Sequence, residues 1–429
     1  VKSSLAQCPP MGWNSWDCFG VNVTEAEVRA NADYMAKNLK QYGWEYVVVD
    51  LGWYAPEATK ENYKEVHIPF LIDSFGRLVP DEKRFPSARG GKGFKPLADY
   101  IHSLGLKFGI HIMRGIPWIA AHQDTPIMGS VHTAKQVANP SDQSLWYNSM
   151  YGIDCTLEGG RAYYKSILEL YASWDVDFIK ADDLGSWDGE GKFSHYRVDE
   201  VEALSYATAN CGRDIVLSLS PGAAYIGDAY HLRRHAHMWR ISADFWDEWE
   251  ALKRQFQRCH EWSTRVVPGH WPDADMLPLG KIGIRGEIGA PRQTNFTKDE
   301  QYTLMTLWCI FRNPLMFGGH FPESDELSIS LITNKEALKV NQQSKNNRQL
   351  FRTESSIAWR ADATDDSKSY LAIFNISDAE QEIKVLLQGK KTLIRDLWNK
   401  KDIGNFADFF TQKLPPHGAG LFSLNNKAI

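Results

Sequence analysis

The sequence predicts an α/β chain: a (β/α)8 TIM barrel over residues 1–337, followed by a C-terminal antiparallel β-sandwich domain over residues 338–429. Three observations carry that prediction. Short β-rich runs and amphipathic helical runs alternate from residue 10 to about 320, the pattern of a parallel sheet with crossover helices. Eight strand-like runs fall in that stretch and no Gly-rich dinucleotide fingerprint follows the first, so a closed barrel fits better than an open doubly wound sheet. After Asn341 the texture changes to short alternating strands punctuated by Gly, Asn and Asp turns. A chain of 429 residues holds a barrel of roughly 250 residues or more and a smaller domain besides.

In chain order the barrel strands are expected at Pro10–Trp16, Tyr46–Trp53, Lys107–Arg114, Asp177–Asp183, Ile215–Pro221, Met238–Phe245, Arg265–Gly269 and Leu315–Gly319. Helical patterns lie between them at Glu25–Tyr42, Gly93–Leu104, Ala162–Ser173, Asp199–Cys211, Leu252–Ser263 and Lys298–Phe311. Thr24 ahead of Glu25 and Glu27, and Thr297 ahead of Asp299 and Glu300, are helix-start signals, because a capping hydroxyl and early acids satisfy the free N–H groups of a first turn. Ala55–Lys92 and Ile116–Asp154 are too long and polar for simple connections, and loops of that length on the functional face of a barrel shape access to it. In the second domain, strands are expected at Ile357–Arg360, Ser369–Asn375, Glu382–Leu387, Thr392–Asp396 and Gly418–Ser423.

The fourth barrel strand carries the chemistry. Alternate side chains of a strand share a face, so Val176, Phe178, Lys180 and Asp182 point one way. An apolar strand thereby delivers a lysine and a carboxylate to one side of its C-terminal end, where barrels build their sites. Four other strand ends repeat the habit. The second ends on Asp50-Leu51, the third turns Gly109 and His111 to one side, and the sixth gives Arg240, Ser242 and Asp244 a common face opposite Trp239, Ile241 and Ala243. The seventh is followed by Trp271-Pro272-Asp273-Ala274-Asp275-Met276. Two isolated carboxylates, Asp182 and Asp244, each with a cation two or four residues earlier, suit retaining glycoside hydrolysis. One must be ionised to attack, and Lys180 beside Asp182 favours that; the other must be protonated, a state Arg240 opposes at Asp244 unless it is directed elsewhere. Plainer readings stand beside these: an Arg240–Asp244 structural ion pair, a hydrogen-bonded strand-end Asp50, a solvated turn at Asp273 and Asp275, and a core histidine at 111.

Composition narrows the partners. A net charge of −5 with no basic face argues against nucleic acid, and no run of 18 apolar residues exists to span a membrane. Sixteen tryptophans supply packing mass and platforms for the C–H faces of sugars. Val1–Cys8 lacks a signal-type apolar core, and six cysteines (Cys8, Cys18, Cys155, Cys211, Cys259, Cys309) without a CxxC pair do not form a disulfide framework, which points to a reducing, cytoplasmic setting. Asn22-Val23-Thr24 and Asn295-Phe296-Thr297 match a glycosylation triplet that arises often by chance. His235-Ala236-His237 has metal-like spacing but precedes the sixth strand instead of ending one, so neither metal nor cofactor is expected; a metal-dependent hydrolase using His235, His237 and Asp275 ranks last. Ser218 and Ser220 lack the GxSxG elbow of a serine nucleophile.

Several of these segments together resemble glycoside hydrolase family 27, the α-galactosidases and α-N-acetylgalactosaminidases. They are Pro9-Pro10-Met11-Gly12-Trp13-Asn14-Ser15-Trp16, Gly43–Trp53, Phe108-Gly109-Ile110, Lys180-Ala181-Asp182, Trp239-Arg240 with Asp244, and Trp271–Met276, extended by Asn313-Pro314-Leu315-Met316 and Val340-Asn341-Gln342. The resemblance covers nearly the whole chain. It implies a metal-free retaining mechanism with Asp182 as nucleophile and Asp244 as acid/base, and sugar contacts from Trp16, Asp50, His111 (a Tyr in many members), Lys180, Arg240 and Asp275. The partner it implies is a terminal galacto-configured glycan, and a homo-oligomer is compatible with it. Two positions depart from the family pattern. Many members carry two adjacent acids after strand 2, where this chain has Asp50-Leu51, which leaves room for a sugar without the hydroxymethyl oxygen, such as β-L-arabinopyranose. After strand 5, Ser220 and Ala223 replace the Glu and bulky Leu that crowd the 2-position, leaving space for an acetamido group. α-N-acetylgalactosaminidase activity is accordingly the first expectation, α-galactosidase or β-L-arabinopyranosidase the alternatives, and a non-catalytic sugar-binding barrel the reading from another class.

Overall fold

The computed structural model describes all residues except 2–3, 186–195, 388, 390 and 426–429. Its first part is the barrel. The strands β1 (Met11–Asn14), β2 (Tyr46–Val49), β3 (Lys107–Met113), β4 (Phe178–Asp182), β5 (Val216–Ser220), β6 (Met238–Arg240), β7 (Trp271–Asp273) and β8 (Leu315–Phe317) form one parallel sheet in the order β7-β6-β5-β4-β3-β2-β1-β8. Nearly every residue in them is buried, because both faces of a parallel barrel strand are covered and only apolar or paired side chains fit there.

The ladder ends one step short of a full circle. Between β7 and β8 a single parallel bridge, Leu277 to Phe317, completes the ring, with the Leu277 N–H bonded to Met316 O at 2.8 Å and the Gly318 N–H to Leu277 O at 2.9 Å. The Asn313 side chain stitches the rest of that seam. Its Oδ1 accepts from the Ala274 N–H at 2.6 Å and its Nδ2 donates to Asp275 O at 3.2 Å. Asn341 in turn donates to Asn313 O at 2.8 Å.

One main helix follows each of the first seven strands: α1 (Glu25–Tyr34), α2 (Lys95–Ser103), α3 (Glu158–Ser173), α4 (Val198–Asn210), α5 (Ala229–His235), α6 (Trp249–Trp262) and α7 (Lys298–Phe311), with shorter helical turns elsewhere among the described residues. Thr24 with Glu27, and Thr297 with Glu300, form complete capping boxes. Three expectations need correction. The seventh strand is Trp271–Asp273, not Arg265–Gly269, because Ser263–Arg265 finishes the preceding helix as a 3-10 turn and Val267 merely bridges back to His270 around Pro268-Gly269. Helix α1 gives way after Tyr34 to a π turn at Met35–Leu39 and a 3-10 turn at Lys40–Tyr42. Helix α3 starts four residues earlier than its apolar pattern, through Gly159 and Gly160, where an added Cβ would meet His132 at 2.5 Å and Asp154 O at 2.1 Å.

After β8 come α8 (Glu326–Ile332) and α9 (Lys335–Gln342), then only strands. β9 (Ser344–Arg352), β10 (Ser356–Ala363), β11 (Ser369–Asn375), β13 (Thr392–Asp396), β14 (Lys401–Phe406) and β16 (Ala419–Asn425) make a six-stranded antiparallel sheet, over which β12 (Gln381–Leu386) and β15 (Phe409–Leu414) pair. Leu371, Ile373, Ile383, Val385, Phe410 and Phe422 fill the space between the two layers. Helix α7 is buried almost throughout, held between barrel and sandwich. Just beyond it Arg312, at φ +65°, donates to Asn341 O, Gln342 O and Ser344 O at 2.7, 2.9 and 2.6 Å and lies 4.7 Å over the Trp271 ring. Among the described residues no helix is long and apolar enough to cross a membrane, and all six cysteines are free thiols.

Candidate active site

A cavity of about 520 Å³ opens at the C-terminal ends of the barrel strands and is lined by Trp16, Asp50, Leu51, His111, Lys180, Asp182, Ser220, Arg240, Asp244 and Asp275. Ten of the eleven residues singled out from the sequence therefore meet in one place. Ala223 does not: Gly222, at φ +73°, takes the wall position and Ala223 is buried beside it. The turn after β5 leaves the strand at Pro221, so the alternation of the strand no longer decides which residue faces inward.

Asp182, the last residue of β4, is held at both oxygens. Its Oδ2 accepts from His111 Nε2 at 3.0 Å and its Oδ1 from the Asp183 N–H at 2.7 Å. Burial would raise this carboxyl, but the His111 bond, the Lys180 ammonium and the Asp183 amide outweigh it and hold the pKa below the ordinary carboxylate value. Lys180 is not the bonded partner that sequence spacing suggested. Its Nζ lies 3.0 Å from Asp50 Oδ2, reaching past β3 to the end of β2, and acts on Asp182 only through space. Asp50 also accepts from Asn14 Nδ2 at 2.7 Å and from the Leu51 N–H at 2.8 Å, which sets its pKa far below the usual range despite full burial. Histidine 111 thus sits between two carboxylates, bonded to one and 4.0 Å from the other.

Across the cavity, Arg240 at the end of β6 makes its short ion pair with Asp275, at 2.7 Å, and a longer one with Asp244, at 3.3 Å. A plain Arg240–Asp244 pair is therefore not the arrangement. Beyond Arg240 the chain leaves the ladder, so the expected shared face of Arg240, Ser242 and Asp244 breaks down. Ser242 is buried, and Ala243, expected to point away, lines the cavity beside Asp244. The Asp244 side chain is 64 % exposed and free to meet a ligand. Desolvation within the walled cavity and the negative charges of Asp275 and Asp182 raise its pKa above the ordinary value, against the pull of Arg240. Asp275, at φ +90°, is fixed by the N–H groups of Phe245 and Met276, each at 2.8 Å, and by the Trp308 indole on its carbonyl at 2.9 Å. Asp273 is buried as well, not in a solvated turn, and its carboxyl is pushed up to about 6 by burial.

Several neighbours escaped the sequence reading. Asp183, at φ +63°, is clamped by Arg114 Nε at 2.9 Å and the Trp146 indole at 3.0 Å, and Arg114 is bonded to Glu200 at 3.0 Å. That buried cluster fixes the amide that points at Asp182, and burial pushes the Asp183 carboxyl up to about 6. At the rim Tyr63, from the long loop after β2, meets Trp16 edge-on at 5.9 Å and donates to Glu287 at 2.6 Å. A paired acid on an arginine and an aromatic on a loop carry no periodic signal, so neither was legible.

His235, His237 and Asp275, the residues of the last-ranked metal reading, do not come together in the structure. His237 is buried, its Nδ1 accepting from the Leu217 N–H at 2.9 Å, while Asp275 belongs to the cavity. His235 instead lies beside His231 and Glu202 on the outside of the barrel, with its pKa pushed down to about 4 by burial and the His231 charge. That group, and a second of Asp99, His102 and Asp175, lie outside the cavity.

The chain is similar to known proteins over nearly its whole length. The profile of the family described as Alpha galactosidase A matches residues 8–151 and 146–343, and that described as Alpha galactosidase C-terminal beta sandwich domain matches 353–424. The chain is 24 % identical to an alpha-galactosidase of Cyamopsis tetragonoloba over 437 residues, spanning 100 % of this chain and 89 % of that one. A GH27 β-L-arabinopyranosidase from Geobacillus stearothermophilus superposes with a TM-score of 0.95 at 48 % identity, covering 100 % of this chain and 99 % of that one. A Bacillus halodurans protein, provisionally assigned as an α-N-acetylgalactosaminidase, follows at 0.87 and 44 %, covering 98 % and 97 %.

Proposed function

The chain belongs to glycoside hydrolase family 27, and from that premise we propose that it is an exo-acting, retaining glycosidase whose substrate is a terminal β-L-arabinopyranoside. Leu51 carries the choice of sugar. It lines the cavity at 1 % exposure where many family members have a second acid, so a hydroxymethyl oxygen would be buried without a partner there. Leaving one polar group unmet costs about 1–3 kcal/mol, enough for roughly 10- to 100-fold discrimination. β-L-arabinopyranose has the galacto-like ring without that group. This ranks the sugars differently from the sequence reading because Leu51 is buried in the cavity wall, while the small wall residue after β5 is Gly222 and not Ala223.

α-N-acetylgalactosaminidase activity is the second reading, and one observation favours it: Ser220 lines the cavity and its buried Oγ has no hydrogen-bond partner among the described residues, a donor that an acetamido carbonyl could use.

In the proposed mechanism Asp182, kept ionised by His111 and Lys180, attacks the anomeric carbon while Asp244 protonates the departing oxygen. The C–O bond to the aglycone breaks as the glycosyl–Asp182 ester forms. Esterification removes the Asp182 charge, one of the influences holding the Asp244 pKa up, so Asp244 becomes the stronger base just when it must take a proton from water. Water then opens the ester with net retention.

The test is a side-by-side measurement of kcat/KM on nitrophenyl β-L-arabinopyranoside, α-galactoside and α-N-acetylgalactosaminide, with Asp182→Asn as control. The arabinopyranoside is expected to lead the galactoside by at least tenfold, and Asp182→Asn to lose at least 10³-fold on every substrate that turns over. A galactoside or acetamido sugar in the lead overturns the choice of sugar; turnover by Asp182→Asn overturns the mechanism.

A further inference from the structure

Asp17 follows Trp16 in the short helical turn Trp16–Phe19 at the end of β1 and lines the same cavity. It is 2 % exposed, and its Oδ2 has no hydrogen-bond partner among the described residues. Its position is not slack. The backbone carbonyl is bonded by the Gly283 N–H at 2.8 Å, and a Cβ on Gly318 would lie 2.0 Å from Oδ2, so the backbone just beyond β8 closes in from one side because a glycine stands there. The charged groups that act most on it belong to the cavity, Asp275, Asp244 and Asp50, opposed by Lys180, and Arg292 outside the cavity lining also feels its charge. Burial and those three anions push its pKa well up and so favour the neutral carboxyl, the form that has an O–H to donate as well as oxygens to accept.

A buried carboxyl with no partner opposes folding, whereas the other cavity carboxylates are all paired or bonded to amides. Substitutions that remove such a group stabilise a fold, and the usual cost of doing so is function. We propose that Asp17 is a sugar-binding residue of this cavity, its carboxyl exchanging hydrogen bonds with a ring hydroxyl of the bound sugar. The proposal rests on the glycosidase reading of the cavity and adds a contact to it.

The experiment compares the full chain with Asp17→Asn and Asp17→Ala, measuring calorimetric affinity for L-arabinose, D-galactose and N-acetyl-D-galactosamine alongside the melting temperature. Asp17→Ala is expected to weaken the tightest-bound of the three at least tenfold, and Asp17→Asn, which keeps a donor and an acceptor, by less. Both variants are expected to melt no lower than the wild type. Affinity within twofold of wild type in both variants overturns the proposal. So does a lower melting temperature in both, which assigns Asp17 to the fold. If none of the three sugars binds the wild-type chain, the glycosidase reading fails with it; unchanged binding in the variants sinks the Asp17 contact alone.

Discussion

Arg240 is shared between two acids at unequal distance, and that inequality controls a proton. Asp275 takes the short contact, leaving Asp244 only partly compensated. In Asp275→Asn the negative charge that raises Asp244 is lost and Arg240 is released towards it; both effects lower the Asp244 pKa. Activity needs Asp244 protonated, so the basic limb of the kcat/KM–pH profile is expected to move to lower pH, while the acid limb, set by Asp182, stays near its place. Leu51→Asp tests the sugar preference at the same scale: restoring a carboxylate is expected to shift the ratio of α-galactoside to arabinopyranoside kcat/KM towards the galactoside by at least tenfold. Asp182 was legible as a cavity residue because a charged residue ending an apolar strand is conspicuous, whereas Asp244 reaches the same cavity from beyond the end of β6, not from the strand face expected of it. Their partners were not legible, since strand alternation assigns a face but says nothing of which side chain from another strand it meets. That is why Lys180 was matched to its neighbour two residues on and not to Asp50.

At the scale of the element, the end of β4 is shaped by the cluster behind it. Asp183 adopts a left-handed backbone, unusual for any residue but Gly, Asn or Asp, and Arg114 from the end of β3 holds it there. Arg114→Met would strand Asp183 and Glu200 as buried, unpaired carboxylates, a loss of about 3–5 kcal/mol. A melting temperature lower by several degrees is expected, with a fall in kcat larger than any change in KM, because the Asp183 amide that orients Asp182 is no longer fixed. Strand β2 was legible from its unbroken apolar run, and β3 and β4 from apolar runs interrupted only by Gly109 and a few polar residues such as His111 and Lys180. The seventh was misplaced because a three-residue strand containing a proline has almost no pattern of its own, and Val266-Val267 nearby reads more strongly β. Helix α5, only seven residues long and ending in Arg233, Arg234 and His235, offers too short an apolar stripe to register.

For the molecule as a whole, α7 and Arg312 make the sandwich an extension of the barrel's own packing. His417 stacks on Trp249 at 3.8 Å and bonds Glu300 at 2.7 Å, and Trp398 Nε1 donates to Thr306 at 2.9 Å. The full chain is therefore expected to unfold in one calorimetric transition, and a chain ending at Gln343 to be recovered mainly as aggregate, since the truncation bares the outer face of α7. Two separate transitions would show the parts to be independent. The change from barrel to sandwich was legible in the altered texture after Asn341. Strands β9, β14 and β15 were not: the first two are polar edge strands on which few side chains are buried, and β15 buries only Phe410 and Leu414.

The seam between β7 and β8 gives one site control over how firmly the ring is shut. Elsewhere around the circle cohesion is spread over a ladder of amides that no single substitution removes; there it is concentrated in Leu277 and in one carboxamide, that of Asn313. Hydrogen–deuterium exchange should find the amides of Ala274, Leu277 and Gly318 the first in the barrel to open, faster still in Asn313→Ala. Because the Asp275 carbonyl hangs from that same carboxamide, drift in this residue across related chains offers evolution a means of retuning catalysis without touching the pocket.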